Sequence, residues 1–223
     1  MKISEIKKQA RTALKGQWGA AVLLTFILFL LTSVLPSIVE SIFSGGFNNM
    51  LNQDQAPPSA VIGNMLIAII LIPVSISVYW YYLSVVRSEV PEISQVFTIF
   101  NNGKTYFKLI GASLLIGIFV FLWTLLLIIP GIIKSISYSQ TYYLLKDHPE
   151  YTVFEAITES RKRMNGYKWK YFLLNLSFIG WGILGIFTLG IGYLWLVPYV
   201  STSNATFYNE LMLSDKDKDE LYF

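Results

Sequence analysis

The sequence predicts an all-α polytopic membrane bundle of six transmembrane helices with interfacial amphipathic helices, built as three parallel hairpin repeats. Three observations lead there. Of 223 residues, 54% are hydrophobic and 14% charged, with a mean hydropathy of +0.52, too apolar for a soluble domain of this length. The charges are gathered into short stretches separated by long uncharged runs. Three of those charged stretches share one internal spacing.

In chain order, the basic opening from Met1 to Lys15 is helix-patterned, and no small-x-small site follows the apolar run behind it. That run is expected to be a retained first helix and not a signal peptide. The stretches between Lys15 and Glu40, between Asp54 and Arg87, and between Lys108 and Lys134 carry no charge, and each reaches the roughly 20 residues that a crossing needs. Pro130-Gly131 is expected to end the third span and turn the chain back, with Ile132 to Leu145 as the return helix. From Tyr171 to Asn209 the uncharged run is too long for one crossing. The breaker Thr188-Leu-Gly-Ile-Gly192 divides it into two spans.

Basic residues set the orientation. They fall in the opening segment, between the second and third spans, between the fourth and fifth, and in the tail; only Lys134 is left over. The connections on the other side, Ser44 to Ala60, Pro130-Gly131 and Thr188 to Gly192, hold none. Both termini are therefore expected in the cytoplasm, with the protein in the plasma membrane. The net charge of +3 is accounted for by this topology and by anionic lipid, so no nucleic acid is expected as a partner. The tail, 214–223, alternates in sign and reads as solvated.

The chain reads as one membrane domain, 1–223, of three units at about 1–86, 87–147 and 148–213. Glu5 precedes Gly16, Glu92 precedes Gly103 and Glu155 precedes Gly166, each by eleven residues. An aromatic follows each glycine (Trp18, Tyr106, Tyr167), and each unit ends in an aromatic pair: Tyr81-Tyr82, Tyr142-Tyr143 and Phe207-Tyr208. Gly16, Gly103 and Gly166 are expected at interfacial bends, as caps of short helices. Those helices are amphipathic: Ile3, Ile6, Ala10 and Leu14 form one apolar face, Val153, Phe154, Ile157 and Met164 another, and Ile93, Val96, Phe97 and Phe100 a weaker one. The expectation is that they lie in the interface with these faces among acyl chains, either securing topology or sensing lipid.

Positioned chemistry is scarce. Without cysteine, thiol catalysis and disulfides are excluded, and the single histidine, His148, sits in Asp147-His148-Pro149-Glu150, which reads as a polar turn. No catalytic, cofactor-binding or metal-ligating set is assigned, no cofactor is expected, and the chain is not expected to be an enzyme. Polar stripes recur at helical spacing: Ser75, Tyr79 and Tyr82; Lys134, Tyr138, Thr141 and Tyr142; Tyr193, Ser201, Asn204 and Tyr208. They are read as interhelical contacts, with a polar path as the alternative. Ser113 and Gly117 suggest a small-residue packing spot. Glu40 and Lys134 should lie at similar depth near the outer surface, either snorkelling separately or forming an ion pair.

Several stretches look familiar together: Leu126-Leu-Ile-Ile-Pro-Gly-Ile-Ile133, Tyr142-Tyr-Leu-Leu-Lys-Asp147, Met164-Asn-Gly166, Leu176-Ser-Phe-Ile-Gly-Trp181 and Pro198-Tyr199. With the Lys-rich opening and Trp18-Gly19, they resemble the domain-of-unknown-function 975 family of bacterial, mainly Gram-positive, integral membrane proteins. The resemblance implies a multi-pass plasma-membrane protein and brings no activity. The expected function is non-enzymatic, exerted through membrane lipids or partner membrane proteins; the alternative is a small-molecule or lipid transporter or permease.

Overall fold

The computed structural model describes residues 2–52 and 55–221, with side chains as far as Ser214. Asp54 of the first loop and the charged side chains Asp215 to Glu220 of the tail lie outside the described residues. Every regular element described is helical: α1 Ile3–Ala13, α2 Trp18–Phe29, a π-helical stretch Leu30–Val34, α3 Leu35–Phe43, α4 Phe47–Asn52, α5 Pro58–Val86, a 3-10 helix Ile93–Asn101, α6 Gly103–Leu126, α7 Ile128–Tyr138, α8 Thr141–Asp147, α9 Val153–Arg163, α10 Lys168–Leu176, α11 Ile179–Phe187 and α12 Tyr193–Leu221.

Among the described residues, four segments are long and apolar enough to cross a membrane: Trp18–Phe43, Pro58–Val86, Gly103–Leu126 and Lys168–Phe187. The first is continuous through its π-helical stretch. Pro36 has no N–H to return to Thr32, and the widened register just before it absorbs that lost bond. The expected return helix from Ile132 to Leu145 is broken at Ser139-Gln140 into α7 and α8. The turn before it is not made by Pro130-Gly131 either. Leu127 alone is extended, at φ −160° and ψ 143°, and Pro130 sits in the first turn of α7, where a missing donor costs nothing. Gly131 serves packing instead. A Cβ there would collide with the side chain and backbone of Thr124, so the glycine lets α7 lie close against α6.

Two of the three short helices are alike in detail. In α9, Thr152 caps the Glu155 N–H while the Glu155 carboxylate accepts from the Thr152 N–H at 2.7 Å; in α1, Glu5 likewise accepts from the Lys2 N–H at 3.3 Å. Each helix then runs 11 residues and is closed by a glycine in the left-handed region, Gly16 at φ +85° and Gly166 at φ +81°, which only glycine adopts without strain. The second copy departs. Ile93–Asn101 is a 3-10 helix, its β-branched and aromatic residues being poor α-formers. Gly103 is the first residue of α6 and no bend, because the Asn102 side chain caps that helix at the Thr105 N–H.

The apolar faces of the short helices point into the protein, contrary to the expectation that they dip among acyl chains. Ile6, Ala10 and Leu14 of α1 are buried, as are Ala156, Ile157 and Ser160 of α9 and Met164 behind it. Phe100 and Phe154 are exceptions and stay exposed.

Burial is concentrated at one end of the bundle, with Ala60, Ser44 and Gly131 buried at the other. On α5, Val74, Ile76, Val78 and Tyr81 to Val85 are buried, whereas Val61, Ile62, Met65, Leu66 and Ile70 are open. On α6, Leu109 and Ala112 are buried while Leu114 through Leu126 are largely open; on α12, Thr202, Ser203 and Ala205 to Tyr208 are buried while Trp195 and Val197 are open. The end holding the basic segments is packed across the whole bundle; at the other, α6 meets α7 and α3 meets α5 while most apolar side chains stay open.

Candidate functional site

At the packed end, three chain segments meet in one polar seam. Arg87, capping α5, grips Asp147 of α8 with two parallel bonds of 2.7 and 2.6 Å, and Tyr208 of α12 donates to the same carboxylate at 2.8 Å. The Tyr143 and Tyr208 rings stack at 5.0 Å. Beside them the Lys146 ammonium donates to the Trp80 carbonyl at 2.7 Å and the Ser84 hydroxyl at 2.6 Å, while the Trp80 indole donates to the Tyr142 carbonyl at 2.7 Å. Burial alone would raise the Asp147 pKa, but the bonds from Arg87 and Tyr208 outweigh it and hold the carboxyl below its usual range. Lys146 is lowered, chiefly by burial. Charge-assisted, two-pronged geometry of this kind fixes orientation as well as distance. In the sequence Arg87 reads only as a topology marker and Asp147 only as turn; the available signal is a residue of opposite sign about one turn beyond each of the first two aromatic pairs.

Nearby, His148 stacks on Tyr151 at 4.5 Å and its Nδ1 lies 3.0 Å from Glu150. Lys108 donates to the Pro149 and Tyr151 carbonyls at 2.6 and 2.9 Å, tying this turn to α6.

A cavity of about 360 Å³ opens between α3, α5, α6 and α8, with Thr32, Asn64, Ser75, Tyr79, Ser113 and Tyr142 among its walls. The π-helical stretch contributes Thr32, and Asn64 Oδ1 is enclosed without a hydrogen-bond partner. Of the expected polar stripes, Tyr142 reaches this cavity and its ring lies 5.6 Å from that of Tyr79. Tyr138 does not line it; it is buried with its ring 6.3 Å from Phe119. Asn204 faces Asn175 at 3.5 Å across α12 and α10. Gly117 has open space where a side chain would go, so Ser113 and Gly117 do not form a packing spot.

The Glu40 to Lys134 pair is not formed. The Lys134 ammonium instead lies over the Trp123 ring at 4.2 Å from its centroid, a cation–π contact within the α6–α7 hairpin that needs no carboxylate.

A larger concavity, about 700 Å³, runs between α1 and the α11–α12 hairpin. Lys7 and Arg11 stand at one end, and Trp18, Trp181, Leu184 and Trp195 are among its apolar walls. Lys7 donates to the Ser177 carbonyl at 3.3 Å and sits 4.0 Å above the Phe178 ring, at the break between α10 and α11. Its pKa is lowered by burial and then by the neighbouring Arg11. The profile of a family described as a protein of unknown function, DUF975, matches residues 1–137 and 124–214. Nothing among the curated proteins or the solved structures matches the chain significantly.

Proposed function

The chain belongs to the DUF975 family, whose description carries no activity, and from its own surfaces we propose a non-enzymatic protein of the bacterial plasma membrane that acts through lipids or partner membrane proteins. The observation that carries this reading is the one-sided packing. The seam of Arg87, Asp147 and Tyr208 holds three segments together at the basic end, while Phe26, Phe29, Ile62, Leu66, Phe121 and Trp181 stay open toward the other. Exposed apolar area on that scale is a contact surface.

In this reading three hairpins enter the membrane from the cytoplasmic side, with both termini left there. Six crossings would need α7 with α8, and the apolar half of α12, to complete the second and third hairpins. Cysteines at Asn48 and Ser59 are then expected to react with a membrane-impermeant reagent in intact cells, and one at Lys162 to stay silent until lysis. Labelling at Lys162 in intact cells would reverse the orientation. Purification in a mild detergent should retain specific lipids or a partner; a preparation that carries neither, at any detergent strength, would remove the contact reading.

The cavity beside Tyr79 and Tyr142 favours a second reading, transport of a small neutral or lipid-like solute. A neutral polar lining, an unpaired Asn64 oxygen and a π-helical wall are features of ligand sites in helices. Solute flux in vesicles holding the purified chain, abolished by Asn64→Leu, would replace the first reading with this one.

A further inference from the structure

We infer that the groove between α1 and the α11–α12 hairpin is a binding site for an anionic membrane phospholipid, with its phosphate on Lys7 and Arg11 and one acyl chain along Trp181, Leu184 and Trp195. The inference deepens the lipid-contact reading above by naming a site and a lipid class.

Charge is the first argument. Lys7 and Arg11 are one turn apart on α1, and neither forms an ion pair among the described residues. Two neighbouring cations at the mouth of an apolar groove repel each other, which is part of why the Lys7 amine is lowered; a phosphodiester between them would relieve both the repulsion and the burial cost. The depth of the groove is the second argument. Lys8 and Arg11 on α1 and Lys2 and Lys15 flanking it are all exposed, and such a surface lies among headgroups or in water. Because Lys7 touches Ser177 and Phe178, the cationic end of the groove is level with the break between α10 and α11. From there α11 runs 9 residues, about 14 Å, to the turn at Thr188. One leaflet of hydrocarbon is about 15 Å, half of the roughly 30 Å core. The groove thus has a cationic head and an apolar channel about one acyl chain long.

Aromatic walls suit such a chain. Trp181 and Trp195 present exposed indoles, one from each arm of the hairpin, and Trp18 closes the groove from α2. These are three of the six tryptophans, and this permits a direct test.

With Trp80, Trp123 and Trp169 replaced by phenylalanine, every remaining tryptophan lines the groove. The full chain is placed in phosphatidylcholine vesicles, and its emission is quenched by phospholipid brominated midway along the acyl chain. Brominated phosphatidylglycerol is expected to occupy the groove about tenfold or more in preference to brominated phosphatidylcholine. Lys7→Gln with Arg11→Gln should bring the two lipids within about twofold of each other, whereas Lys8→Gln with Lys15→Gln, in the same N-terminal segment outside the groove, should leave the preference in place. Should the tryptophan replacements prevent insertion, native mass spectrometry of lipid retained by the otherwise wild-type chain and the two double variants reads the same preference. Equal quenching by both lipids, or a preference that survives loss of Lys7 and Arg11, overturns the site. Displacement by millimolar inorganic phosphate would assign a free anion in place of a lipid and also overturn it. Failure here with the protein inserted and still bound to other lipids or a partner removes this site alone; catalysed solute flux removes the broader reading, and the preference stays measurable.

Discussion

Arg87 and Asp147, 60 positions apart, are joined by two bonds of 2.7 and 2.6 Å, and Tyr208 closes the same carboxylate from a third segment. Both charged side chains are less than one-third exposed, so removing one strands the other. Arg87→Met is expected to cost about 3 kcal/mol, read as a fall in the midpoint of helix unfolding in detergent. Arg87→Met with Asp147→Leu should recover part of that loss, since no charge is then left unpaired. Wild-type stability of the single variant would show that the seam is incidental.

The same carboxylate predicts an acid response. Its folded pKa is held below the ordinary value, so its contribution is complete above the unfolded pKa, near 3.9, and is lost as pH falls through the folded value. The unfolding midpoint should therefore drop more steeply below about pH 4 in the wild-type chain than in Asp147→Asn. Parallel pH profiles for the two would remove Asp147 as the cause.

Gly16 and Gly166 hold left-handed backbone, and Gly103 does not, although all three follow a glutamate by eleven residues. Gly16→Ala and Gly166→Ala should each cost about 1–2 kcal/mol, with space around neither residue to blame. Gly103→Ala, at the start of α6, should be close to neutral. Three equal costs would mean that the second copy bends as the others do.

The difference between those copies marks where the sequence is readable. Periodicity identifies the helical class, the apolar runs and the special positions Gly16 and Gly166, because each is a local demand of backbone or hydrocarbon. It does not locate the seam. Arg87 and Asp147 look like ordinary interfacial charges until α5, α8 and α12 bring them together, and that depends on packing between distant segments. The amphipathic face of α1 is legible as apolar, but an apolar stripe is the same signal whether lipid or Phe178 and Leu211 cover it. The turn at Leu127 escapes because Pro130-Gly131, the stronger local signal, serves a helix start and a close contact instead. Of the candidate groove only the cations are visible, as topology markers.

Lys134 and Glu40 act independently in this structure. Lys134→Met should remove a contact with Trp123 worth about 0.5–2 kcal/mol, and Trp123→Leu should remove much of the same energy, so that the double variant costs less than the sum. Glu40→Gln should be neutral alone and additive with Lys134→Met. A coupling between Glu40 and Lys134 in such a double-mutant cycle would restore the ion pair that is not formed here.

The tip of the second hairpin provides the last prediction. Leu127 turns the chain in a single extended residue, so α6 and α7 must approach closely at once, and Gly131 stands where any side chain would overlap Thr124. Both the Thr124 hydroxyl and its backbone are in the way. Gly131→Ala should therefore destabilise the hairpin by about 1–3 kcal/mol, as overpacking does elsewhere. Thr124→Ala alone loses only a hydroxyl bonded to the Val120 carbonyl of its own helix and should change little. Combined with Gly131→Ala it removes the nearest atom but leaves the backbone contact, so it should restore part of the stability and not all of it. Full restoration would mean that the hydroxyl was the whole obstacle. No effect of Gly131→Ala would show that the α6–α7 corner opens freely, and that the glycine is not needed for close approach.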